Sequence, residues 1–171
     1  MALLRSRFTW IALSLGLYWA ALNLHALTIL RQVSGVGPIM SGADCLHNGS
    51  LLGGPDGSLG TSLLYSSWLG NLPWLVSLIA LASARSWRAT TWIGMIATVT
   101  SLLPVIPLVA KLDIYTHGEI NRLTGVGPGY ALWITALATP ALFSWWLRRT
   151  HAKAAAETEA RDTRTATGQV R

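Results

Sequence analysis

Apolar runs without a formal charge alternate with glycine-rich or charged stretches along this chain. Four runs stand out, at about 8–30, 61–84, 90–110 and 128–147. A helix rises ~1.5 Å per residue, so the first run alone would extend ~34 Å, enough for ~30 Å of hydrocarbon. The pattern predicts an all-α fold, a four-helix transmembrane bundle with two Gly-rich outer loops and a cytoplasmic tail. The first run follows Arg5 and Arg7, as a signal peptide would. It is too long for the apolar core of one, and no small-x-small cleavage site follows, so it is read as a retained span.

The stretches between the runs set the connections. Residues 31–60 carry Gly35, Gly37, Gly42, Gly49, Gly53, Gly54, Gly57, Gly60, Pro38 and Pro55, which argues for a loop. The second run is polar in its first half, with Ser62, Tyr65, Ser66, Ser67 and Asn71. Arg85 and Arg88 lie in a turn so short that the second and third runs are antiparallel neighbours. Pro104 and Pro107 predict a kink or unwinding late in the third run, since proline removes a helical hydrogen bond. Residues 111–127 form the second outer loop. After residue 149 the chain turns charged; Ala152 to Arg161 suits a short helix, with disorder beyond it. The tetrapeptide Gly35-Val36-Gly37-Pro38 recurs as Gly125-Val126-Gly127-Pro128. It lacks the lysine and the strand-to-helix setting of a phosphate loop and reads as turn chemistry. As a matched pair, the two copies would place the first and fourth spans side by side.

Charge fixes an orientation. The 171-residue chain is 51% hydrophobic, 12% charged and carries a formal charge of +6. Its basic residues flank apolar runs and are not interleaved with aromatics, which argues against nucleic acid as a partner. Arg5, Arg7, Arg85, Arg88, Arg148, Arg149 and Lys153 fall on one side; Arg31, Lys111 and Arg122 fall on the other with Asp44, Asp56, Asp113 and Glu119. The positive-inside rule then predicts a multi-pass protein of the cell membrane with both termini cytoplasmic. The single cysteine, Cys45, excludes an intrachain disulfide and a dithiol redox centre.

Candidate chemistry is sparse. His25 is the titratable side chain placed inside a predicted span, ~7 Å from its outer end. Such a group is a candidate haem or metal ligand or proton relay; the alternative is a neutral, hydrogen-bonded imidazole. Asn23, His25, Tyr65 and Asn71 fall at similar depth and could line a polar binding pocket beneath the outer loops. The asparagines could equally join helices through hydrogen bonds. Cys45, His47, His117 and Glu119 form a weak candidate metal set across the two loops. No cofactor and no catalytic constellation is predicted.

Trp68-Leu69-Gly70-Asn71, Cys45 and Gly129-Tyr130-Ala131-Leu132-Trp133 resemble features of small four-span bacterial membrane proteins of unassigned function. That resemblance implies a bacterial origin and a four-span topology, and carries no catalytic residues. The function expected is a non-enzymatic accessory or small-molecule-binding protein of the bacterial cell membrane. Its partners would be the lipid bilayer and a larger membrane complex or further copies of itself. The alternative is a cofactor- or metal-binding membrane protein using His25 or the Cys45, His47 and His117 set.

Overall fold

A computed structural model describes residues 6–31, 39–49, 59–83, 86–116 and 119–168. The elements in order are α1 (Arg7–Asn23), β1 (His25–Arg31), β2 (Ile39–Ser41), α2 (Gly42–Gly49), α3 (Leu59–Ser66), a 3-10 turn (Ser67–Gly70), α4 (Asn71–Ser83), α5 (Trp87–Ser101), α6 (Val105–Ala110), β3 (Asp113–Thr116), β4 (Glu119–Val126) and α7 (Pro128–Gly168). The fold is mostly helical. Three helical stretches, Leu59–Ser83, Trp87–Ala110 and Pro128–Ala160, are long and apolar enough to cross a membrane.

The expected all-α architecture is corrected by a four-stranded antiparallel sheet of order β2-β1-β4-β3. Its strands come from segments read as span or loop. The first apolar run is not one helix: α1 stops at Asn23, and the chain continues as β1. Leu24 takes an extended conformation, and its carbonyl accepts from Gly42 N at 3.0 Å, so the helix ends where a strand partner is available. Residues 111–127 likewise hold the β3–β4 hairpin, in which Asp113 faces Arg122 and their side chains pair at 2.9 Å. In β4, Asn121 and Leu123 are buried while Ile120, Arg122, Thr124 and Val126 are exposed. This is the alternation of a sheet with one covered face. The covered face, with Ala26, Leu27, Ile29, Ile114 and Leu123, packs on Tyr130 and on Leu64, Val105, Leu108, Trp133 and Ile134 of the helices.

Beneath the sheet, α1, α4, α5 and α7 lie against one another; α7 packs along both α1 and α5, and α4 lies against α5 and α1. The first Gly-Val-Gly-Pro copy lies outside the described residues. The second closes β4 and opens α7, so it does sit between strand and helix, contrary to the sequence reading, though without the lysine of a phosphate loop. The expected adjacency of the first and last helices holds, with Trp10 of α1 stacked on Phe143 of α7 at 5.1 Å. The late break in the third run is also present: α5 ends at Ser101 and α6 begins at Val105, after Pro104. Helix α7 begins at Pro128 as predicted but does not stop at Leu147; the expected short tail helix is its continuation, helical to Gly168. Alanine-rich sequence favours this, and Lys153 and Glu157 face each other one turn apart at 3.9 Å.

The helices have an inverted surface. Between them lie Ser14, Ser77, Thr90, Thr91, Ser101, Thr139, Ser144, Gly70, Gly94, Ala97 and Ala136, all buried. Outward point Leu13, Leu15, Trp19, Leu72, Leu75, Val76, Ile79, Trp92, Ile96, Val99 and Leu142. The buried hydroxyls mostly bond carbonyls of their own helices, as Ser77 does to Trp74 O at 2.6 Å and Thr139 to Thr135 O at 2.7 Å. Small residues let backbones approach closely: a Cβ added at Gly94 would meet Ala141 Cβ at 2.9 Å and Ala141 N at 3.0 Å. Gly94→Val is therefore expected to destabilise the fold by about 1–3 kcal/mol, the usual range for overpacking. Thermal unfolding in detergent checks this, with exposed Met95→Leu as a neutral control.

Candidate functional site at the sheet end of the helices

Prolines place the polar contacts. Pro140 lies inside α7 and has no N–H, so the carbonyl of Ala136 lacks its helical donor. Ser14 of α1 donates to that carbonyl at 2.7 Å, and Trp74 Nε1 of α4 donates to Ser14 Oγ at 3.0 Å. One hydroxyl thereby joins three helices. At the break after α5, Val105 N turns to Leu102 O at 3.0 Å, leaving the Ser101 carbonyl without that helical donor. The Tyr130 hydroxyl of α7 donates to it at 2.7 Å. In hydrocarbon, freed carbonyls have to be met by donors from within the protein.

The start of α7 collects these contacts. Gly127 N donates to Ala26 O at 2.8 Å, fixing α7 to β1. A Cβ on Gly129 would meet Leu24 O at 2.7 Å and His25 O at 2.8 Å, so only glycine lets α7 start against the end of α1. Next, Trp133 Nε1 donates to Asn71 Oδ1 at 3.0 Å. Residues 127–133 thus touch α1, β1, α5 and α4. The motif Trp68-Leu69-Gly70-Asn71 and the motif Gly129-Tyr130-Ala131-Leu132-Trp133 meet through that last bond.

The expected pocket residues take separate partners. Asn23 is exposed and its amide donates to Trp19 O of its own helix at 2.8 Å. His25 is not inside a helical span: it opens β1, and Nε2 lies 2.9 Å from Thr28 Oγ1. Tyr65 is on α3, and its side chain lies outside the described residues. Asn71 is buried at the first turn of α4, bonded to Trp133.

The expected metal set divides similarly. Ser41 precedes α2, and its hydroxyl accepts from Asp44 N at 3.2 Å. Asp44 Oδ2 in return accepts from Ser41 N at 2.9 Å and Ser41 Oγ at 2.7 Å, a reciprocal cap of the helix start. These bonds stabilise the carboxylate and hold its pKa below the ordinary 3.8. Cys45 is half-buried against the sheet core. Burial, and secondarily the Asp44 charge, push its thiol up to about 12, so at neutral pH it is protonated and a poor ligand or nucleophile. His47 is exposed on α2; His117 and the side chain of Glu119 lie outside the described residues. Among the described residues, no group of three or more His, Cys, Asp or Glu could hold a metal ion. No protein-family profile, curated protein or solved structure matches the chain.

Ser14, Trp68, Tyr130 and Trp133 were not named as site residues from sequence. Pro104 and Pro140 were the available signal, since each forecasts a carbonyl in need of a donor. Tyr130→Phe leaves the Ser101 carbonyl buried without its hydroxyl, and is expected to cost about 1–3 kcal/mol in thermal or denaturant unfolding. The Asp44 carboxylate has a depressed folded pKa, so the cap is present above the ordinary value and is lost as pH falls through the folded one. The Ser41 amide resonance should therefore titrate with a midpoint below 3.8 and lose that titration in Asp44→Asn; a midpoint at or above 3.8 would contradict the cap.

Proposed function

We propose that the chain is an integral protein of a bacterial cell membrane, crossing it with α1, α3–α4, α5–α6 and α7. The sheet lies on the outer face and the extension of α7 in the cytoplasm. The observation that carries this reading is the inverted surface. Large apolar side chains face outward and serine, threonine, glycine and alanine face inward, the arrangement expected where hydrocarbon is the solvent. A water-soluble fold would not expose so continuous an apolar surface. Helix α1 has 17 residues, ~25 Å, at the short end of what spans a bilayer; local thinning accommodates it.

Charge supports the orientation. Arg7, Arg88, Arg148 and Arg149 gather at the end of the helices opposite the sheet, with Trp10, Trp87, Trp145 and Trp146 beside them. Arg149 lies 4.2 Å over the Trp145 ring, as basic and aromatic residues do at a membrane interface.

Within the membrane the protein serves as a non-enzymatic accessory subunit of a larger complex. Its distinctive side chains are committed to structure: Asp44 caps a helix, His25 pairs with Thr28, and Cys45 packs half-buried against the sheet core. Ile39, Ile120 and Val126 are exposed apolar residues on the sheet, suited to contact with a partner.

Single cysteines in a Cys45→Ala background test the arrangement. In intact cells, a membrane-impermeant maleimide is expected to label Thr124→Cys, to reach His151→Cys only after lysis, and to label Ile79→Cys in neither state. Labelling of His151→Cys and not Thr124→Cys in intact cells would reverse the orientation. Ready labelling of Ile79→Cys would remove the membrane reading.

A further inference from the structure

Two donors at the sheet end of α4 are buried without an acceptor among the described residues: Trp68 Nε1 and Asn71 Nδ2. The Asn71 amide has a fixed sense, because Oδ1 accepts from Trp133. Its NH2 group is therefore left to point at something else. Trp68 stands three residues earlier, in the 3-10 turn that leads directly into α4. Residues three apart in such a turn share one face, so both donors fall on the same side of the chain. Leaving two buried donors unmet is costly, and more so where water is scarce.

We infer that Trp68 and Asn71 are the donor half of a binding site for the neutral carbonyl oxygen of a lipophilic molecule. Three observations select that chemistry. The unmet groups are donors only, and a carbonyl brings two acceptor positions and no proton of its own. Water would arrive with two protons that need acceptors in turn. The described basic side chains of the sheet end, Lys111 and Arg122, are exposed, and Arg122 pairs with Asp113, so neither is held as a buried counter-charge to an anion. A buried anion without a cation would be far more costly than a neutral oxygen. Finally, the site lies at the flank of the helices, where Leu69 and Leu72 are exposed and Trp68 is half-buried around its buried nitrogen. Both nitrogens are closed to solvent in this structure, so an apolar molecule arriving from the bilayer has to displace side chains at this flank to reach them.

The carbonyl has two possible sources, the acyl ester of a membrane lipid or a free lipophilic ketone. The inference rests on the membrane reading above. The test uses full-length protein labelled with 15N at the tryptophan indoles, in alkyl maltoside micelles, which carry no carbonyl. Trp68→Phe keeps an aromatic side chain without the indole N–H and identifies the Trp68 resonance by its absence. An ester phospholipid, its dialkyl-ether counterpart and a long-chain ketone are then added separately. The Trp68 indole proton is expected to move downfield with a carbonyl-bearing molecule and to stay in place with the ether lipid. Movement with the ester lipid identifies a lipid acyl group; movement with the ketone alone identifies a free lipophile. Equal movement with ester and ether lipids, no movement with any addition, or a direct cross-peak to water with an unchanged position would overturn the inference. Contacts between detergent chains and the Val76 and Ile79 methyls are read in the same samples. If those contacts are missing, the membrane reading fails; if they are present and Trp68 is static, only the carbonyl site fails.

Discussion

The structure depends on side-chain donors for two backbone carbonyls that breaks in the helical hydrogen-bonding set free. Pro140 interrupts α7 inside the helix packing, and the Ala136 carbonyl it exposes is met by Ser14 from α1, itself bonded by Trp74 from α4. The same need arises at the break after α5, where Val105 N turns to Leu102 O and Tyr130 meets the Ser101 carbonyl. Each of these two breaks therefore fixes which helix must stand beside it. Ser14, Ser101 and Ala136 are fully buried, so water does not substitute for these donors, and helix order, proline position and hydroxyl position are one constraint.

The start of α7 carries that constraint into the sheet. Gly127 and Gly129 press its first turn against the β1 backbone and the end of α1, and Tyr130 and Trp133 reach α5 and α4. The sheet is held as the continuation of these contacts: β4 runs into Gly127, β1 leaves α1, and the two pair from Leu27↔Val126 to Arg31↔Asn121. The covered face of the sheet shares one core with Tyr130, Trp133 and Ile134.

Much of this was legible in the sequence. The three later apolar runs are helices near their expected positions, and the proline break fell where expected, because length, low charge and missing N–H groups act locally. The first run misled because Ala26, Leu27 and Ile29 are buried in the sheet and read as the apolar continuation of α1. No glycine or proline marks the change of conformation at Leu24. The strand alternation in β4 and the Ser41-x-x-Asp44 cap of α2 were present as signals, but the abundance of glycine in one stretch and the short length of the other favoured a loop reading. At the candidate site, Asn71 was visible as a polar residue in an apolar run. Its partner Trp133 was not, since an interfacial tryptophan needs no partner to be explained. That Ser14 serves Ala136, 122 residues away, is a long-range fact no local pattern carries.

The central claim is that Ser14 matters because Pro140 is where it is. A double-mutant cycle in detergent tests it directly. Ser14→Ala should cost about 1–3 kcal/mol of unfolding free energy in the natural background. In Pro140→Ala, where residue 140 can again donate to the Ala136 carbonyl, the part of that cost due to the unmet carbonyl should disappear, leaving the part due to Trp74 Nε1, which loses its acceptor in both backgrounds. An equal cost in both backgrounds would contradict the account.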